Sequence, residues 1–429
     1  MKKIIPQSVK NIYHLAQAIV ANVWHGFPSR KIKVIGVTGT NGKTTTCQMI
    51  AKILEESGRK VAMVSTINFK LGDSEWVNAT KFTTVSAFAT QKFIATAVKA
   101  GCDYLVLETS SHSLDQYRVW GVKYDVAVIT NVTREHLDYH KTMEEYRQAK
   151  LKLFRNVKNA IINLDMERPE EFLSCGAEMV CGYSTKFPIS NFQFPINGKC
   201  QNSKFKMIMA ENIILGIDGS SYQIQNTKYQ LQLPGLFNVE NALAATAVGI
   251  SEGIGLGIIK TALEKIKKVP GRMDEVENKL GVKIIIDYAL TPDSMEKLGM
   301  LISEQKKPAQ SLVWVFGSCG ERDRGKRPMM GEIVSRYADY VIVTNEDPYG
   351  EDPMQIVDEV ASGVQNKKEG ENFWRILDRR EAITKALKLV KSGDIILVTG
   401  KGAEEIMLIG DKRLPWNDRK VIEEELEKM

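Results

Sequence analysis

The 429-residue sequence lacks the patterns that mark several large protein classes. Its six cysteines form no Cys-x-x-Cys pair, which argues against a zinc ribbon, and their spacing suggests no disulfide framework. It has no lysine- and arginine-rich tract with interleaved aromatic residues, and its net charge is only +6. We therefore expect no nucleic-acid partner. We find no internal repeat and no low-complexity stretch.

The beginning of the chain also lacks a long apolar run. Polar residues such as Gln7, Asn11, His14 and Gln17 interrupt the apolar positions of residues 1–23. This stretch is too polar for a signal peptide and too short for a membrane span. We expect no membrane insertion and a location in the reducing cytoplasm.

Two series of alternating segments predict an α/β protein with more than one domain. In residues 31–131, β-branched runs such as 33–37 alternate with helical patterns such as 43–56, which is typical of a doubly wound parallel sheet. A second alternation follows residues 269–271 and predicts a Rossmann-like domain. Its strand-like runs lie at 282–287, 312–316, 340–344, 374–377 and 395–399.

The region between the two series has a different sequence pattern. Short polar strands and turn residues from about 160 to 235 predict a hairpin-rich insertion on the first sheet, and helical periodicity returns from 239 to 267. We therefore divide the chain into a short N-terminal segment at 1–31, a central domain at 32–270 and a C-terminal domain at 271–429.

A glycine-rich turn between the first strand and the first helix predicts a P-loop-type ATP site. Its glycines allow backbone N–H groups to converge on phosphate oxygens, and the helix N-terminus adds favourable partial charge. Lys43 can reach the β- and γ-phosphates, and a threonine hydroxyl can bind Mg²⁺. The strict pattern would have glycine where Val37 stands, so the loop is a variant. The predicted ATP contacts are Gly39, Thr40, Asn41, Gly42, Lys43, Thr44 and Thr45.

Several longer stretches resemble the Mur ligase family, and within it the MurE type. The loop reads Gly-Thr-Asn-Gly-Lys-Thr-Thr at 39–45, and Glu-Thr-Ser-Ser-His-Ser-Leu-Asp-Gln-Tyr-Arg follows at 108–118. The similarity extends over about residues 32–425. Further matching stretches are 130–154, 233–245, 270–274, 287–293, 320–331 and 400–404.

The resemblance implies an ATP-dependent ligase. ATP would phosphorylate a carboxylate, and an amine would then displace phosphate from the acyl phosphate. MurE-type enzymes add the third stem-peptide residue to UDP-N-acetylmuramoyl-L-Ala-D-Glu. Because the carboxylate and the γ-phosphate are both anionic, divalent cations and lysines are needed to screen their repulsion.

The resemblance also implies two Mg²⁺ ions. It assigns catalytic roles to Lys43, Glu108, His136 and Lys150. Thr44 and Glu108 would hold one ion. His136 and a CO₂-derived carbamate on Lys150 would hold the other. From the residues alone, Glu108 could cap a helix or form a salt bridge, and His136 could be structural. Lys150 could lie on the exposed face of a helix at 142–155.

Other residues are assigned to substrates by the same resemblance. Asn238 and Asn241 would lie on the adenine side of ATP, three residues apart on one helix face. Arg272 and Asp287 would reach the γ-phosphate and the ribose from the C-terminal domain, which requires domain closure. The muramoyl-peptide contacts would be Thr83, Thr84, Ser110 and Arg118.

The amine pocket departs from the pattern of enzymes that use meso-diaminopimelate. Those enzymes carry Asp-Asn-Pro-Arg, whereas residues 346–349 read Glu-Asp-Pro-Tyr. Because an arginine is lost and acids are present, we expect L-lysine or a similar diamino acid, with Asp347 and Glu404 near its terminal ammonium. The predicted amine-side residues are Arg322, Asp347, Tyr349, Gly400 and Glu404.

Three further departures leave alternatives open. Only about 31 residues precede the first strand, too few for the family's usual uridine-diphosphate-binding domain. Three alternatives follow: other residues hold the uridine diphosphate, a partner protein supplies its site, or the acyl substrate carries no UDP. Apart from such a partner, we expect a monomer that acts on small molecules. Leu290 and Ala403 replace two histidines of the family pattern.

Other assignments fit the sequence less well than the MurE type. An amidotransferase-associated Mur ligase typically carries a four-cysteine zinc ribbon, which this sequence lacks. Folylpolyglutamate synthetase fits 108–118 and 322–328 less well. A non-catalytic ATP-binding scaffold is the alternative from another class.

Overall fold

The first half of the chain is organised around a nine-stranded sheet. The computed structural model describes residues 6–80, 82–186 and 204–429. In chain order, the elements of this half are α1 (Gln7–Trp24), β1 (Lys33–Thr38), α2 (Lys43–Glu56), β2 (Val61–Val64), β3 (Asn68–Leu71), β4 (Ser74–Val77), α3 (Ala87–Lys99), β5 (Tyr104–Glu108), α4 (Ser111–Asp115), β6 (Val126–Ile129), α5 (Leu137–His140), α6 (Met143–Leu151), β7 (Asn159–Asn163), α7 (Glu170–Leu173), β8 (Met179–Ser184) and β9 (Lys204–Met209), with 3-10 turns at Pro28–Lys31 and Lys152–Phe154.

The order of this sheet is β4-β3-β2-β5-β1-β6-β7-β8-β9. All pairings from β2 to β9 are parallel, and β3 and β4 form an antiparallel edge. The central strands are buried on both faces by apolar side chains, as a doubly wound sheet requires. Because β1 ends between β5 and β6, the loop that follows it opens at the carboxyl edge, where such sheets bind ligands.

The second half contains a small antiparallel sheet, two helices and a second large sheet. Its elements are β10 (Glu211–Gly216), β11 (Gly219–Ile224), β12 (Thr227–Leu231), α8 (Leu236–Ser251), α9 (Leu256–Glu264), β13 (Asp274–Val276), β14 (Lys283–Asp287), α10 (Pro292–Gln305), β15 (Leu312–Phe316), α11 (Lys326–Tyr337), β16 (Tyr340–Thr344), α12 (Pro353–Ala361), β17 (Phe373–Ile376), α13 (Arg379–Leu389), β18 (Ile395–Thr399), β19 (Ile406–Ile409), β20 (Lys412–Pro415) and α14 (Asp418–Leu426).

The second large sheet has the order β13-β14-β18-β15-β16-β17. It is parallel except for the antiparallel pairing of β13 with β14. Apolar layers lie on both of its faces. Helix α10 begins with a capping box in which Thr291 and Ser294 satisfy each other's backbone N–H groups. This cap fixes the helix terminus that faces the phosphate loop.

Two sequence predictions about the intervening region are corrected by the structure. The helix predicted over 239–267 is two helices, because Gly253 adopts φ +79° after Ser251 and ends α8. The hairpin-rich insertion is only partly present: β7, β8 and β9 extend the parallel sheet, and only β10–β12 form antiparallel hairpins. Part of that predicted segment, 187–203, lies outside the described residues.

Within the described ranges, no helix combines the length and the apolar character needed to cross a bilayer. None of the cysteines described, at 47, 102, 175, 181 and 319, is in a disulfide.

Candidate active site

A cleft of about 270 Å³ lies between the two large sheets. The structure brings most of the predicted site residues to its wall. Those that line it are Thr40, Asn41, Gly42, Lys43, Thr44, Thr45, Thr83, Glu108, His136, Asn238, Asn241, Arg272, Asp287, Arg322, Asp347, Tyr349 and Glu404. Gly39, Thr84, Ser110, Arg118, Lys150 and Gly400 are not among the lining residues.

The phosphate loop is held by the segment that follows β6. The backbone N–H of Thr40 donates to the Asn131 carbonyl at 3.0 Å, and that of Asn41 donates to Asn131 Oδ1 at 2.9 Å. The Lys43 ammonium donates to the carbonyls of Gly39 (3.0 Å) and Thr40 (2.7 Å), and burial lowers its pKa. Lys43 is therefore folded over the loop, where an anionic ligand would compete for it.

Helix α8 contributes the two asparagines. Asn241 Oδ1 accepts from Thr46 Oγ1 at 3.2 Å, and Asn241 Nδ2 donates to Asn238 Oδ1 at 3.3 Å. A Cβ atom on Gly42, which has φ +84°, would overlap Asn241 Oδ1. Glycine at this position therefore allows the loop and α8 to pack together.

Glu108, at the end of β5, is a hydrogen-bond acceptor beside the loop. Its carboxylate accepts from Thr44 Oγ1 at 3.0 Å, from the Thr66 N–H at 2.7 Å and from the Thr66 hydroxyl at 2.8 Å. Glu108 is 1% exposed and neither caps a helix nor forms a salt bridge within the described chain. Thr66 was missed by sequence reasoning because it belongs to no glycine- or charge-rich pattern.

His136 has a strained backbone at φ +58° and stands at the start of α5. Its ring lies 4.5 Å from that of His112, and His140 is also part of this aromatic group. Burial lowers the pKa of His136 well below its usual value, so the ring is neutral. Among the described residues the buried Nδ1 has no hydrogen-bond partner, since Glu135 Oε1 lies 3.9 Å away, and Nδ1 is available as a ligand atom.

Lys150 lies on the inner side of α6, so the alternative of an exposed lysine is wrong. It is 1% exposed, and its ammonium faces the Tyr146 ring at 4.2 Å from the centroid. Burial and the nearby Lys43 lower the pKa of Lys150 well below its usual value. These surroundings favour a neutral amine.

The C-terminal domain reaches the loop at several points. Arg272 Nη2 donates to Thr44 Oγ1 at 3.4 Å, and Asn41 Nδ2 donates to Asp293 Oδ2 at 2.9 Å. Asp287 accepts from the N–H groups of Met273 (2.8 Å) and Ala289 (2.7 Å), and burial raises its pKa. The two domains are thus closed over the loop.

A buried ion pair between the domains was missed in the sequence. Lys326 Nζ donates to Glu135 Oε1 at 3.0 Å and to the Leu290 carbonyl at 2.9 Å. Burial is the largest influence on the pKa of Lys326 and lowers it, but Glu135 together with the nearby Cys319 and Glu346 raises the pKa above its usual value. Both residues belong to matching stretches, yet nothing in the sequence indicated that they pair.

The two acids predicted to meet a substrate ammonium already share a protein cation. The fully buried Lys401 donates to Asp347 Oδ1 (3.0 Å) and to Glu404 Oε2 (2.6 Å). Their negative charge is therefore partly neutralised before any ligand binds.

Glu346 is a further carboxyl group on the cleft wall. Its Oε1 accepts from the Cys319 thiol at 2.8 Å, whereas the buried Oε2 has no hydrogen-bond partner in the part of the chain that the structure describes. Gly400, at φ +108°, lies beside this oxygen, and a Cβ atom at position 400 would overlap Oε2. On the same wall, the Arg322 guanidinium lies 5.5 Å from the Tyr349 ring centroid.

The predicted muramoyl-peptide residues lie together next to Glu108. Thr84 Oγ1 donates to the Glu108 carbonyl at 3.0 Å, and Arg118 Nη1 donates to the Thr84 carbonyl at 2.6 Å. Ser110 Oγ accepts from the Ser113 N–H and caps α4. Thr83 Oγ1 accepts from the Thr66 hydroxyl at 3.1 Å.

The donor atoms at the loop fit magnesium. Mg²⁺ in nucleotide sites is bound through one or two carboxylates together with substrate phosphates and water, so a ready-made cage of protein ligands is not required. The Glu108 carboxylate and the Thr44 hydroxyl supply hard oxygen atoms, and His136 supplies an unpartnered nitrogen. Among the described residues, no group of three or more His, Cys, Asp or Glu side chains forms a complete metal site.

Both halves of the chain match known family models. Residues 37–249 match the Mur ligase middle domain, and residues 271–402 match the glutamate ligase domain of Mur ligases. The UDP-N-acetylmuramoyl-L-alanyl-D-glutamate–2,6-diaminopimelate ligase of Syntrophomonas wolfei is 38% identical over 418 residues, which cover 95% of this chain and 81% of that protein. The ligase of the same name from Clostridium tetani is 38% identical over 420 residues, covering 96% and 81%.

Solved structures show the same architecture. A UDP-N-acetylmuramoyl-L-alanyl-D-glutamate–2,6-diaminopimelate ligase superimposes with a TM-score of 0.60 at 29% identity, over 92% of this chain and 78% of that one. A Mycobacterium tuberculosis folylpolyglutamate synthase gives 0.70 at 17% identity, over 91% and 96%, which is a likeness of fold alone.

Proposed function

The chain belongs to the Mur ligase family and is an ATP-dependent acid–amino-acid ligase of the MurE type, and from this premise we propose its substrates and the roles of its residues. The acyl substrate is UDP-N-acetylmuramoyl-L-Ala-D-Glu, and the amine is a diamino acid. The observation that carries the proposal is the cleft, which joins the phosphate loop to Arg322, Asp347 and Glu404 of the C-terminal domain.

The loop and its neighbours prepare the carboxylate for phosphoryl transfer. Lys43 exchanges its carbonyl partners for phosphate oxygens, and Arg272 approaches the same oxygens from the other domain. Asn238 and Asn241 line the nucleotide end of the cleft, and Asp287 holds the ribose. One magnesium ion held at Thr44 and Glu108, and a second held at His136 and the Lys150 carbamate, would supply the positive charge that lets the two anionic groups meet.

Lys150 is proposed to carry a carbamate derived from CO₂. Carbamate formation requires a neutral amine, and the burial of Lys150 against Tyr146 provides one. The modified side chain would replace a buried neutral amine by an anion behind the metal side of the cleft.

The acyl substrate is proposed to occupy the side of the cleft beside β5. Thr83 lines the cleft there, and Thr84, Ser110 and Arg118 form the hydrogen-bonded layer behind it. The buried Nε of Arg118 has no hydrogen-bond partner among the described residues, which suits Arg118 to a carboxylate.

For the amine, we propose L-lysine. Of the described residues that line the cleft, Arg272 and Arg322 carry guanidinium groups. Arg272 contacts Thr44 of the phosphate loop, whereas Arg322 lies beside Tyr349 and can pair with one substrate carboxylate. Lysine has one carboxylate, whereas a diaminopimelate needs a second cationic partner where Tyr349 stands. The remaining negative charge of Asp347 and Glu404, together with Glu346 Oε2, suits a distal ammonium.

Diaminopimelate is the second candidate, favoured by the names of the two relatives above. Radiolabelled lysine and meso-diaminopimelate should be compared in the ligase reaction. We expect incorporation of lysine, and Tyr349→Arg should shift the preference at least tenfold towards diaminopimelate, while Tyr349→Phe should not. Ready incorporation of diaminopimelate by the unchanged protein, without lysine, would refute the lysine proposal.

A further inference from the structure

Helix α1 has a row of large apolar side chains on the side turned away from the protein. They recur at helical spacing and form what we call the outer face of α1. Ile12 is 67% exposed and Trp24 is 79% exposed. The members of the outer face are Val9, Ile12, Tyr13, Ala16, Ile19, Val20, Val23 and Trp24.

The opposite side of α1 is fixed to the protein by small residues. Ala18, Ala21 and Asn22 are fully buried, and Asn22 Nδ2 donates to the Trp120 carbonyl at 2.7 Å. Because these contacts anchor α1, the helix cannot rotate to bury its outer face against the protein.

An exposed surface of this kind is unusual for a helix of a folded domain. The large side chains of the outer face are each between 39% and 79% exposed and lie side by side, and contiguous apolar patches mark interaction sites whereas scattered apolar residues do not. Its two large aromatic side chains, Tyr13 and Trp24, are of the type enriched where proteins meet the bilayer interface.

Basic residues predominate around α1. The helix packs against α3, which also contacts the turn Pro28–Lys31, and these three elements contain five lysines and arginines and no acidic residues: Lys10, Arg30, Lys31, Lys92 and Lys99. An acid next to the helix, Asp115, has its carboxylate paired with Lys152. In the sequence, no Asp or Glu precedes Glu55. A second copy of this surface would bring like charges together, whereas an anionic surface complements it.

We propose that the outer face of α1 docks on an anionic lipid bilayer, with the helix lying in the plane of the interface. The apolar side chains enter the boundary between headgroups and acyl chains, and the surrounding lysines and arginines contact anionic headgroups. The helix rests on the membrane and does not cross it.

Vesicle co-sedimentation of the full chain tests this proposal, with phosphatidylcholine vesicles compared with mixed phosphatidylcholine–phosphatidylglycerol vesicles. We expect binding to the mixed vesicles alone, weakened by salt. Ile12→Asp and Trp24→Ser should each lower the binding constant about tenfold. The matched control is Ile214→Asp, because Ile214 on β10 is also 67% exposed; it should leave binding unchanged.

Three results would overturn the proposal: no binding to the mixed vesicles, equal binding to neutral ones, or equal effects of Ile12→Asp and Ile214→Asp. Light scattering without lipid gives an independent readout. A mass of two chains that Ile12→Asp reduces to one would assign the outer face of α1 to a second copy and would likewise overturn the membrane assignment. The substitutions lie at exposed positions, so unchanged melting temperatures verify that each variant is folded.

Discussion

At the residue scale, burial changes the chemistry of single side chains in the site. Lys150 is the clearest case, because the sequence pattern alone favoured an exposed helix position and the structure buries it. We predict that Lys150→Met, which keeps the apolar stem, folds normally but loses at least a hundredfold in ligase rate.

The carbamate itself can be observed separately from activity. In ¹³C-bicarbonate buffer, the unchanged protein should show a carbamate carbonyl resonance that is absent from Lys150→Met. The matched control is Lys152→Met, two residues along, which should keep both the resonance and the rate because Lys152 pairs with Asp115 on the surface. Full activity of Lys150→Met would contradict the assigned role.

The buried histidines predict a pH dependence of stability. Burial lowers the pKa of His112 to about 3 and that of His140 to about 4. Below pH 6.5 the unfolded chain binds protons at these rings and the folded chain does not, so stability is complete above pH 6.5 and falls as the pH drops towards 4. Each histidine contributes up to about 1.4 kcal/mol per pH unit.

This dependence can be measured by urea unfolding between pH 7 and pH 5. His140→Gln keeps a hydrogen-bonding group for Ser111, the partner of His140 at 3.0 Å. The substitution should reduce the change in unfolding free energy per pH unit by the contribution of one histidine. An unchanged slope would mean that His140 is not neutral in the folded protein.

At the residue scale, the sequence identified most of the groups on the cleft wall but not their partners. The motifs placed Asp347 and Glu404 in the pocket, yet their neutralisation by Lys401 depends on the meeting of two loops. Lys326 and Glu135 are 191 positions apart and were likewise not recognised as a pair. Motifs specify residue types at a site, whereas charge balance requires the tertiary structure.

At the scale of elements, the packing of α2 against α8 sets the shape of the phosphate loop. Gly42 precedes α2 at φ +84° with Asn241 directly against its Cα. We predict that Gly42→Ala weakens ATP binding at least tenfold, as measured by calorimetry, because the new methyl displaces Asn241 and the left-handed backbone is strained.

The other end of the same helix provides the control. Gly58 has a similar φ of +80° but open space where a Cβ would lie. Gly58→Ala should therefore cost only the backbone strain, about 1 kcal/mol of stability, and leave ATP binding intact. Equal effects of the two alanines on ATP affinity would show that contact with Asn241 is unimportant.

The strand and helix alternation was predictable wherever buried β-branched runs met amphipathic helices. The predictions of helices and strands were wrong where these hydrophobic patterns are weak. Gly253 divides a continuous helical pattern into α8 and α9, and periodicity alone does not reveal such a break. Strands β7–β9 continue the parallel sheet, each pairing in parallel with the strand before it in the chain. The local polarity of a strand does not show whether its connection to the next strand is a hairpin or a crossover.

At the scale of the whole molecule, function requires the two large sheets to close on one cleft. The Lys326–Glu135 pair is the buried ionic contact that joins them next to His136. We predict that Lys326→Met destabilises the closed form by about 3 kcal/mol, because it leaves the Glu135 carboxylate buried without its cation. Small-angle scattering should then show a larger radius of gyration.

A second lysine of the same domain serves as the control for closure. Lys306 pairs with Asp339 at 2.6 Å, partly exposed and within the C-terminal domain. Lys306→Met should change stability by less than about 1 kcal/mol and leave the radius of gyration unchanged. If Lys326→Met remains as compact as the unchanged protein, the ion pair does not control closure.

The central claim is that ATP activates a carboxylate as an acyl phosphate, which an amine then captures. The most direct measurement uses UDP-N-acetylmuramoyl-L-Ala-D-Glu with ¹⁸O in the glutamate γ-carboxylate, incubated with ATP, Mg²⁺ and lysine. The account predicts that the released phosphate carries one ¹⁸O atom per amide formed, and that Lys43→Ala abolishes both products. Amide formation with unlabelled phosphate, or phosphate release that does not depend on the acyl substrate, would contradict it.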